Sequence, residues 1–306
     1  MLDKTIGFIG LGHMGQPMAI NLIKQGFHVK VFDLSQEAVR QLAAKGAIPT
    51  ESAAQAAIGA DFVFTMLQTS EQVSKVCLGE KGFLGDKGIF AHLKKNSIYI
   101  DCSSIAITTS QALHQEAQDL GIKMLDAPVS GGVKGAENAT LTFMVGGDEA
   151  IFNDSKPILE CMGKSIIYAG GSGNGQAAKI CNNMLLGITM IGVSEAFTLA
   201  ERLGLDPKKF FEISSQASGE CWAMTRYCPV PGILPEVPAS HGYQPGFMTQ
   251  MMLKDLKLSQ DAARHTSLMT PLGAKATEIY QQFADLDHSQ EDFSAIINFI
   301  KGEKQS

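Results

Sequence analysis

The sequence holds no CxxC pair, no HExxH and no zinc-ligand spacing among its six cysteines, Cys77, Cys102, Cys161, Cys181, Cys221 and Cys228. Metal chemistry is therefore not indicated, and the cysteines are expected to be buried, reduced thiols. No basic cluster offsets a formal net charge of −6, so nucleic acid is not expected as a partner. A small anion could still bind locally, at a helix N-terminus or a single lysine. No apolar stretch of bilayer length is free of polar interruption. The run from Gln176 carries Lys179, Asn182, Asn183 and Glu195, so no membrane partner is expected. Internal repeats and low-complexity tracts are also missing. The first strand-like run, TIGFIG, begins at Thr5, and no targeting segment is expected before it. The expected setting is soluble and reducing, the cytoplasm.

What is present is length and apolar content. With 306 residues, 45% of them hydrophobic, the chain can bury two cores. In the first half, TIGFIG, HVKVFDL, DFVFTML, SIYIDCS, KMLDAPV, TLTFMVGG and SIIYAG are short and rich in β-branched or aromatic residues. Helical patterns lie between several of them, such as QPMAINLIKQG and TTSQALHQEAQDLG. That alternation predicts an α/β fold, a doubly wound parallel sheet with helices on both faces. The glycine cluster AGGSGNGQ then marks a joint. Residues 1–171 are expected to form the first domain and residues 172–306 an all-α second domain that opens with a long connecting helix. Helices are expected over 176–203, 207–216, 248–263, 271–283 and 293–301. The stretch CPVPGILPEVPASHGYQPG (228–246) contains five prolines and cannot be a regular element. Its apolar content favours an ordered loop.

The run GFIGLGHMGQPMAINLIKQG places Gly10, Gly12 and Gly15 in GxGxxG spacing. It follows a strand, opens a helix and is followed by VKVFD, so Asp33 ends the second strand about 20 residues on. That context makes a weak motif strong. Gly10 makes the tight turn, Gly12 leaves room for a pyrophosphate, and Gly15 lets helix and strand pack closely. The stretch Gly10, Leu11, Gly12, His13, Met14 and Gly15 is therefore a candidate cofactor cradle. Asp33 would accept hydrogen bonds from a ribose diol and repel a 2′-phosphate, which favours NAD over NADP. Later strand ends face the same crevice in such folds, which adds Leu67, Gln68, Gln72 and Ser104 as candidate cofactor contacts.

Lys179, Asn182 and Asn183 share one face of the long helix. A lysine near the start of an apolar helix can simply snorkel to water. It can also face a small polar pocket as a general acid–base group, with an asparagine one turn away to hold a hydroxyl or carboxylate. Two asparagines need partners if buried. In DAPVSGG, Ser130, Gly131 and Gly132 form either an ordinary turn or a hydroxyl beside successive N–H groups that could cradle a carboxylate. MLKDL offers Lys254 and Asp255, which alone would read as a surface ion pair.

Taken together, GxGxxG with Asp33, DAPVSGG, GQAAKICNN and KDL, in this order, resemble the β-hydroxyacid dehydrogenases. ATLTFMVGG, GQAAKICNNMLLGITMIGVSEA and GECWAMTRYCPVPGILPEVP resemble its 3-hydroxyisobutyrate-oxidising branch rather than the tartronate semialdehyde reductases. The resemblance spans nearly the whole chain. It implies a Rossmann domain, a long connecting helix and an all-α domain, NAD as cofactor, a small hydroxy acid as substrate, and a homodimer or homotetramer. It implies that Lys179 is the catalytic lysine and that Asn183 positions it and the substrate. Ser130, Gly131 and Gly132 would take the substrate carboxylate, with Phe247 and Asp255 beside the substrate and Lys254 near the cofactor. Two positions depart from the family pattern: Ser104 where threonine is frequent, and Gln68 where MLP is common. The implied reaction takes 3-hydroxyisobutyrate to methylmalonate semialdehyde, in valine breakdown. A sister enzyme acting on L-serine or a short-chain semialdehyde is the nearest alternative. An imine-reducing relative and a non-catalytic nucleotide-binding module are further ones, and both generally lack the lysine.

Overall fold

The structure, a computed structural model, describes residues 4–79 and 88–302. The chain forms two compact units, divided between Lys179 and Ile180.

The first unit runs β1 (Thr5–Ile9), α1 (Gly15–Lys24), β2 (His28–Phe32), α2 (Gln36–Ala43), β3 (Ile48–Pro49), α3 (Ala53–Ala57), β4 (Phe62–Thr65) and α4 (Ser70–Leu78). It continues through β5 (Ile98–Asp101), α5 (Ile107–Asp119), β6 (Lys123–Asp126), β7 (Val129–Ser130), α6 (Gly132–Glu137), β8 (Leu141–Gly147), α7 (Glu149–Leu159) and β9 (Gly163–Gly170). The strand order is β3-β2-β1-β4-β5-β6-β8-β7, with β9 beside β8. Neighbours from β3 to β6 are parallel, and the order reverses between β1 and β4, where such sheets open a ligand crevice at the strand ends.

Alternate residues of each strand feed opposite faces. Ile6, Phe8, Phe64, Ile100 and Leu125 join Leu22 of α1, Leu42 of α2 and Phe152 of α7 in one core. Ile9, Val63, Tyr99 and Met124 join Ala56 of α3, Val73 of α4 and Leu113 of α5 in another. Helices thus cover both faces, as the alternating pattern predicts.

The last part of the sheet departs from the expected parallel pairing, since β8 runs antiparallel to β6 and β7. The connection from β6 to β8 (127–140) is spent on the short strand β7 and on α6, and a six-residue helix, about 9 Å long, is too short to carry the chain back along the sheet for a parallel return. The two-residue strands β3 and β7 are too short to leave a sequence pattern.

The second unit begins inside α8 (Asn174–Arg202) and continues through α9 (Pro207–Ser214), α10 (Trp222–Thr225), α11 (Thr249–His265), α12 (Pro271–Phe283) and α13 (Ile296–Lys301). Residues 293–301, expected as one helix, start as a 3-10 turn, Phe293–Ala295, before α13. Met190 and Phe197 of α8 pack with Met252, Leu256, Tyr280 and Phe283. By length and composition alone α8 could cross a membrane. Its apolar side here belongs to this helical core. The proline-rich segment carries one 3-10 turn, Pro238–His241, and is otherwise irregular.

All six cysteines are free, but burial is not uniform: Cys77, Cys102 and Cys228 are buried, Cys161 and Cys221 half-buried, and Cys181 exposed. Cys181 falls on the solvent side of α8, which corrects the expectation that all six are buried.

Candidate active site

The first unit carries the nucleotide crevice. Gly10 has φ +94°, and a side chain there would strike the Met66 carbonyl. At Gly15 a Cβ would collide with the Gly10 carbonyl, so the turn and the start of α1 fit only with glycine. Beside Gly12 nothing lies within 4 Å, which leaves open space in front of the α1 N-terminus. Gly12 and His13 are exposed, Met14 half-buried and Leu11 buried. Asp33 is already oriented, since its Oδ2 accepts from Leu11 N (2.6 Å) and its Oδ1 from Ser35 N (2.7 Å). Each oxygen keeps a lone pair for a ribose hydroxyl. An open phosphate approach, a free helix start and a carboxylate at the end of β2 fit a dinucleotide without a 2′-phosphate.

At the ends of β4 and β5, Leu67 N donates to Ser103 Oγ (2.9 Å) and Gln68 N to Gln72 Oε1 (3.0 Å). Gln68 and Gln72 are exposed and Ser104 half-buried. The Ser130 turn uses two glycines with positive φ, Gly131 (+131°) and Gly132 (+64°). Ser130 itself ends β7, paired with Thr142 of β8.

Lys179 is 7% exposed, near the start of α8. It stands one turn after Gln176, which is fully buried. The sequence reading passed over Gln176. Its Nε2 donates to Ser103 O (2.8 Å), and its Oε1 accepts from Ile105 N (3.1 Å). Asp126 is also buried: Oδ1 accepts from Gly173 N (2.8 Å) and meets His114 Nε2 (2.9 Å), while Oδ2 accepts from Gln176 N (3.0 Å). Nearby Asp101 has its pKa raised to about 6 by burial, against the hydrogen bonds from Ser103 and Thr65.

In the second unit, Asn183 is buried and its Nδ2 donates to Asp255 Oδ2 (2.5 Å). Asp255 Oδ1 accepts no hydrogen bond, although the Lys254 ammonium lies 3.3 Å away as an ion pair. Asn183 and Asp255 are thus brought together. Asn182, predicted on the same face as Lys179, is exposed instead. Phe247 is half-buried, edge-on to Phe293 at 5.7 Å. Its backbone N–H, with those of Gly246 and Ser294 and the hydroxyls of Tyr227 and Ser294, donates to Asp292. Tyr227 also stacks on Trp222 (5.0 Å, 19°). Asp292 and Tyr227 were not singled out from sequence. Among the described residues, no group of three His, Cys, Asp or Glu side chains could hold a metal ion.

Residues 5–170 match the family described as the NAD-binding domain of 6-phosphogluconate dehydrogenase. Residues 173–300 match the family described as the NAD-binding of NADP-dependent 3-hydroxyisobutyrate dehydrogenase. The mitochondrial 3-hydroxyisobutyrate dehydrogenase of Drosophila melanogaster is 46% identical over 99% of this chain and 91% of its own.

The chain belongs to the β-hydroxyacid dehydrogenases of the 3-hydroxyisobutyrate dehydrogenase type.

It is an NAD-dependent dehydrogenase of hydroxy acids, and NAD is its cofactor. An NAD-dependent L-serine dehydrogenase of Pseudomonas aeruginosa is 45% identical to this β-hydroxyacid dehydrogenase over 96% of both chains. A solved Mycobacterium tuberculosis 3-hydroxyisobutyrate dehydrogenase with L-serine superposes with a TM-score of 0.90 at 44% identity, over 98% of this chain and 99% of that one.

Proposed function

We propose that this dehydrogenase oxidises 3-hydroxyisobutyrate to methylmalonate semialdehyde, a step of valine breakdown, with Lys179 as general acid–base group. The observation that carries the role is a buried polar stripe at the start of a largely apolar helix. Gln176, Lys179 and Asn183, at i, i+3 and i+7, are all buried. Burial of a lysine at 7% exposure is costly unless function or partners offset it.

Bound NAD supplies the hydride acceptor. Lys179 takes the proton of the substrate hydroxyl as the C–H bond at the same carbon breaks. In the reverse direction it protonates the alkoxide. Asn183, oriented by Asp255, fixes the hydroxyl; Ser130 and the N–H groups of Gly131 and Gly132 hold the carboxylate. Phe247 and Asp255 complete the substrate contacts. Leu11, Gly12, His13, Met14, Asp33, Leu67, Gln68, Gln72, Ser104 and Lys254 serve the cofactor.

A second reading, L-serine as substrate, has its own support in the Pseudomonas relative's name and the serine in the mycobacterial neighbour. The experiment is NAD reduction at alkaline pH with 3-hydroxyisobutyrate, L-serine and 3-hydroxypropionate, for wild type and Lys179→Ala. The expected result is preference for 3-hydroxyisobutyrate, with turnover lost about 10²–10⁴-fold or more in the folded variant. Preference for L-serine would move the substrate and keep the chemistry. Undiminished turnover in Lys179→Ala would end the acid–base assignment.

The same reading includes a cytoplasmic homodimer or homotetramer. Exposed Leu185 and Leu199 along α8, and Leu203 just past its end, support self-association, and light scattering at the mass of one chain would remove that part.

A further inference from the structure

We propose that Gln176 is a positioning residue for Lys179, holding the first turn of α8 against the loop that follows β5. The inference rests on the acid–base role proposed for Lys179. Its own basis is the hydrogen bonding of a side chain with no solvent exposure. The Gln176 amide spans two backbone groups of the 102–106 loop, donating to Ser103 O and accepting from Ile105 N. Both of its polar atoms are used in opposite senses, so only a group with a donor and an acceptor at this reach fits. Ser103 in turn holds Leu67 N through its hydroxyl, and Ser104 lies next to it in the chain. One buried amide therefore ties the helix carrying Lys179 to the loops proposed to contact the cofactor.

The rest of the joint leaves little play. Asp126 takes Gly173 N and Gln176 N on separate oxygens. At Gly175 a Cβ would run into the Met144 and Asp126 carbonyls, and at Gly146 it would meet Gly175 N at 2.7 Å. Backbone is packed against backbone on one side, and the Gln176 amide fixes the other. Loss of that amide removes the constraint on how the first turn sits while Asp126 still caps it. A displacement well under an ångström at Lys179 is enough to slow proton transfer.

The titratable groups around this amide are Asp126 at the end of β6, His114 of α5 bonded to it, Asp101 at the end of β5, whose Oδ1 accepts from Ser103 N, Cys102 beside it, and Lys179 on the same helix. Into that setting Gln176→Glu puts a carboxyl of nearly the same shape. Protonated, it donates to Ser103 O and accepts from Ile105 N, as the amide does. Ionised, it turns an acceptor toward the Ser103 carbonyl. Gln176→Met keeps the volume and has neither function.

The test measures kcat, KM and calorimetric NAD affinity from pH 6.5 to 9.5 for wild type, Gln176→Glu, Gln176→Met and Lys179→Ala, with thermal melts to confirm folding. The expected result for Gln176→Glu is a kcat near wild type at the acid end that falls by about 10²-fold relative to wild type at the alkaline end, with NAD affinity held. Gln176→Met should show that loss at every pH. A Gln176→Glu profile parallel to wild type, or a Gln176→Met kcat equal to wild type, overturns the inference. If Gln176→Glu does not fold, Gln176→Met decides alone. Undiminished turnover in Lys179→Ala would instead remove the reading on which the inference rests, so the two failures are distinct.

Discussion

Two buried carboxylates in the helical unit are treated in opposite ways. Asp292 is saturated, because two hydroxyls and three backbone N–H groups converge on it and tie the end of the 228–246 segment to the start of the last helical turn. Asp255 has one donor, the Asn183 amide, and an oxygen that accepts no hydrogen bond although it is out of solvent. A carboxylate served on every side is framework. Asp255 instead turns its second oxygen to the Lys254 ammonium, 3.3 Å away, so it is held by one hydrogen bond and an ion pair rather than by a ring of donors. Asp101 in the sheet unit is a third case. Its Oδ2 accepts no hydrogen bond, and burial lifts its pKa to about 6 against the hydrogen bonds from Ser103 and Thr65 on Oδ1.

The largest effect should come from breaking the saturated site. Asp292→Ala leaves five donors without an acceptor and should destabilise the protein by about 3–5 kcal/mol, read from urea unfolding. A loss under about 1 kcal/mol would mean that the clamp is not framework. Asp101 comes next. Its folded pKa lies above the ordinary value of 3.8, so the folded state holds the proton more tightly and ionisation disfavours folding. The contribution of Asp101 to stability should therefore fall as pH rises from about 4 to 6, by up to roughly 3 kcal/mol. Asp101→Asn should lack that slope in unfolding curves recorded across the window. For Asp255→Asn the expectation is reversed in kind: stability within about 1 kcal/mol of wild type, with kcat/KM down roughly 10–100-fold. A variant that melts early but turns over normally would place Asp255 with Asp292. The smallest effect is Tyr227→Phe, which removes one of five donors and should cost about 1 kcal/mol with turnover nearly kept.

These contrasts were not legible in the sequence, although much of the fold was. Gly10, Gly12, Gly15 and Asp33 announce themselves because their spacing is local and each has a steric or electrostatic task. The helices of 207–216 and 271–283 show through period and caps such as Asp206, whose side chain accepts from Lys209 N. Gln176 and Asp292 left no such mark. Their partners are mostly backbone groups 45 to 73 positions away, and a backbone amide has no letter in a sequence. The available signal was weaker: an amide at the head of an apolar helix, or an acid just before the apolar run FSAIINFI, needs a partner if buried. The antiparallel β8 was hidden for a related reason. Strand direction depends on what the connection can span, and the six residues of α6 look like any other helical turn.

The chain has a single tryptophan, Trp222, half-exposed and stacked on the Tyr227 ring whose hydroxyl reaches Asp292. Every photon of indole emission from this enzyme therefore originates at that one stack. Its spectrum and quenching are a built-in optical gauge of the segment around Asp292, and they need no label.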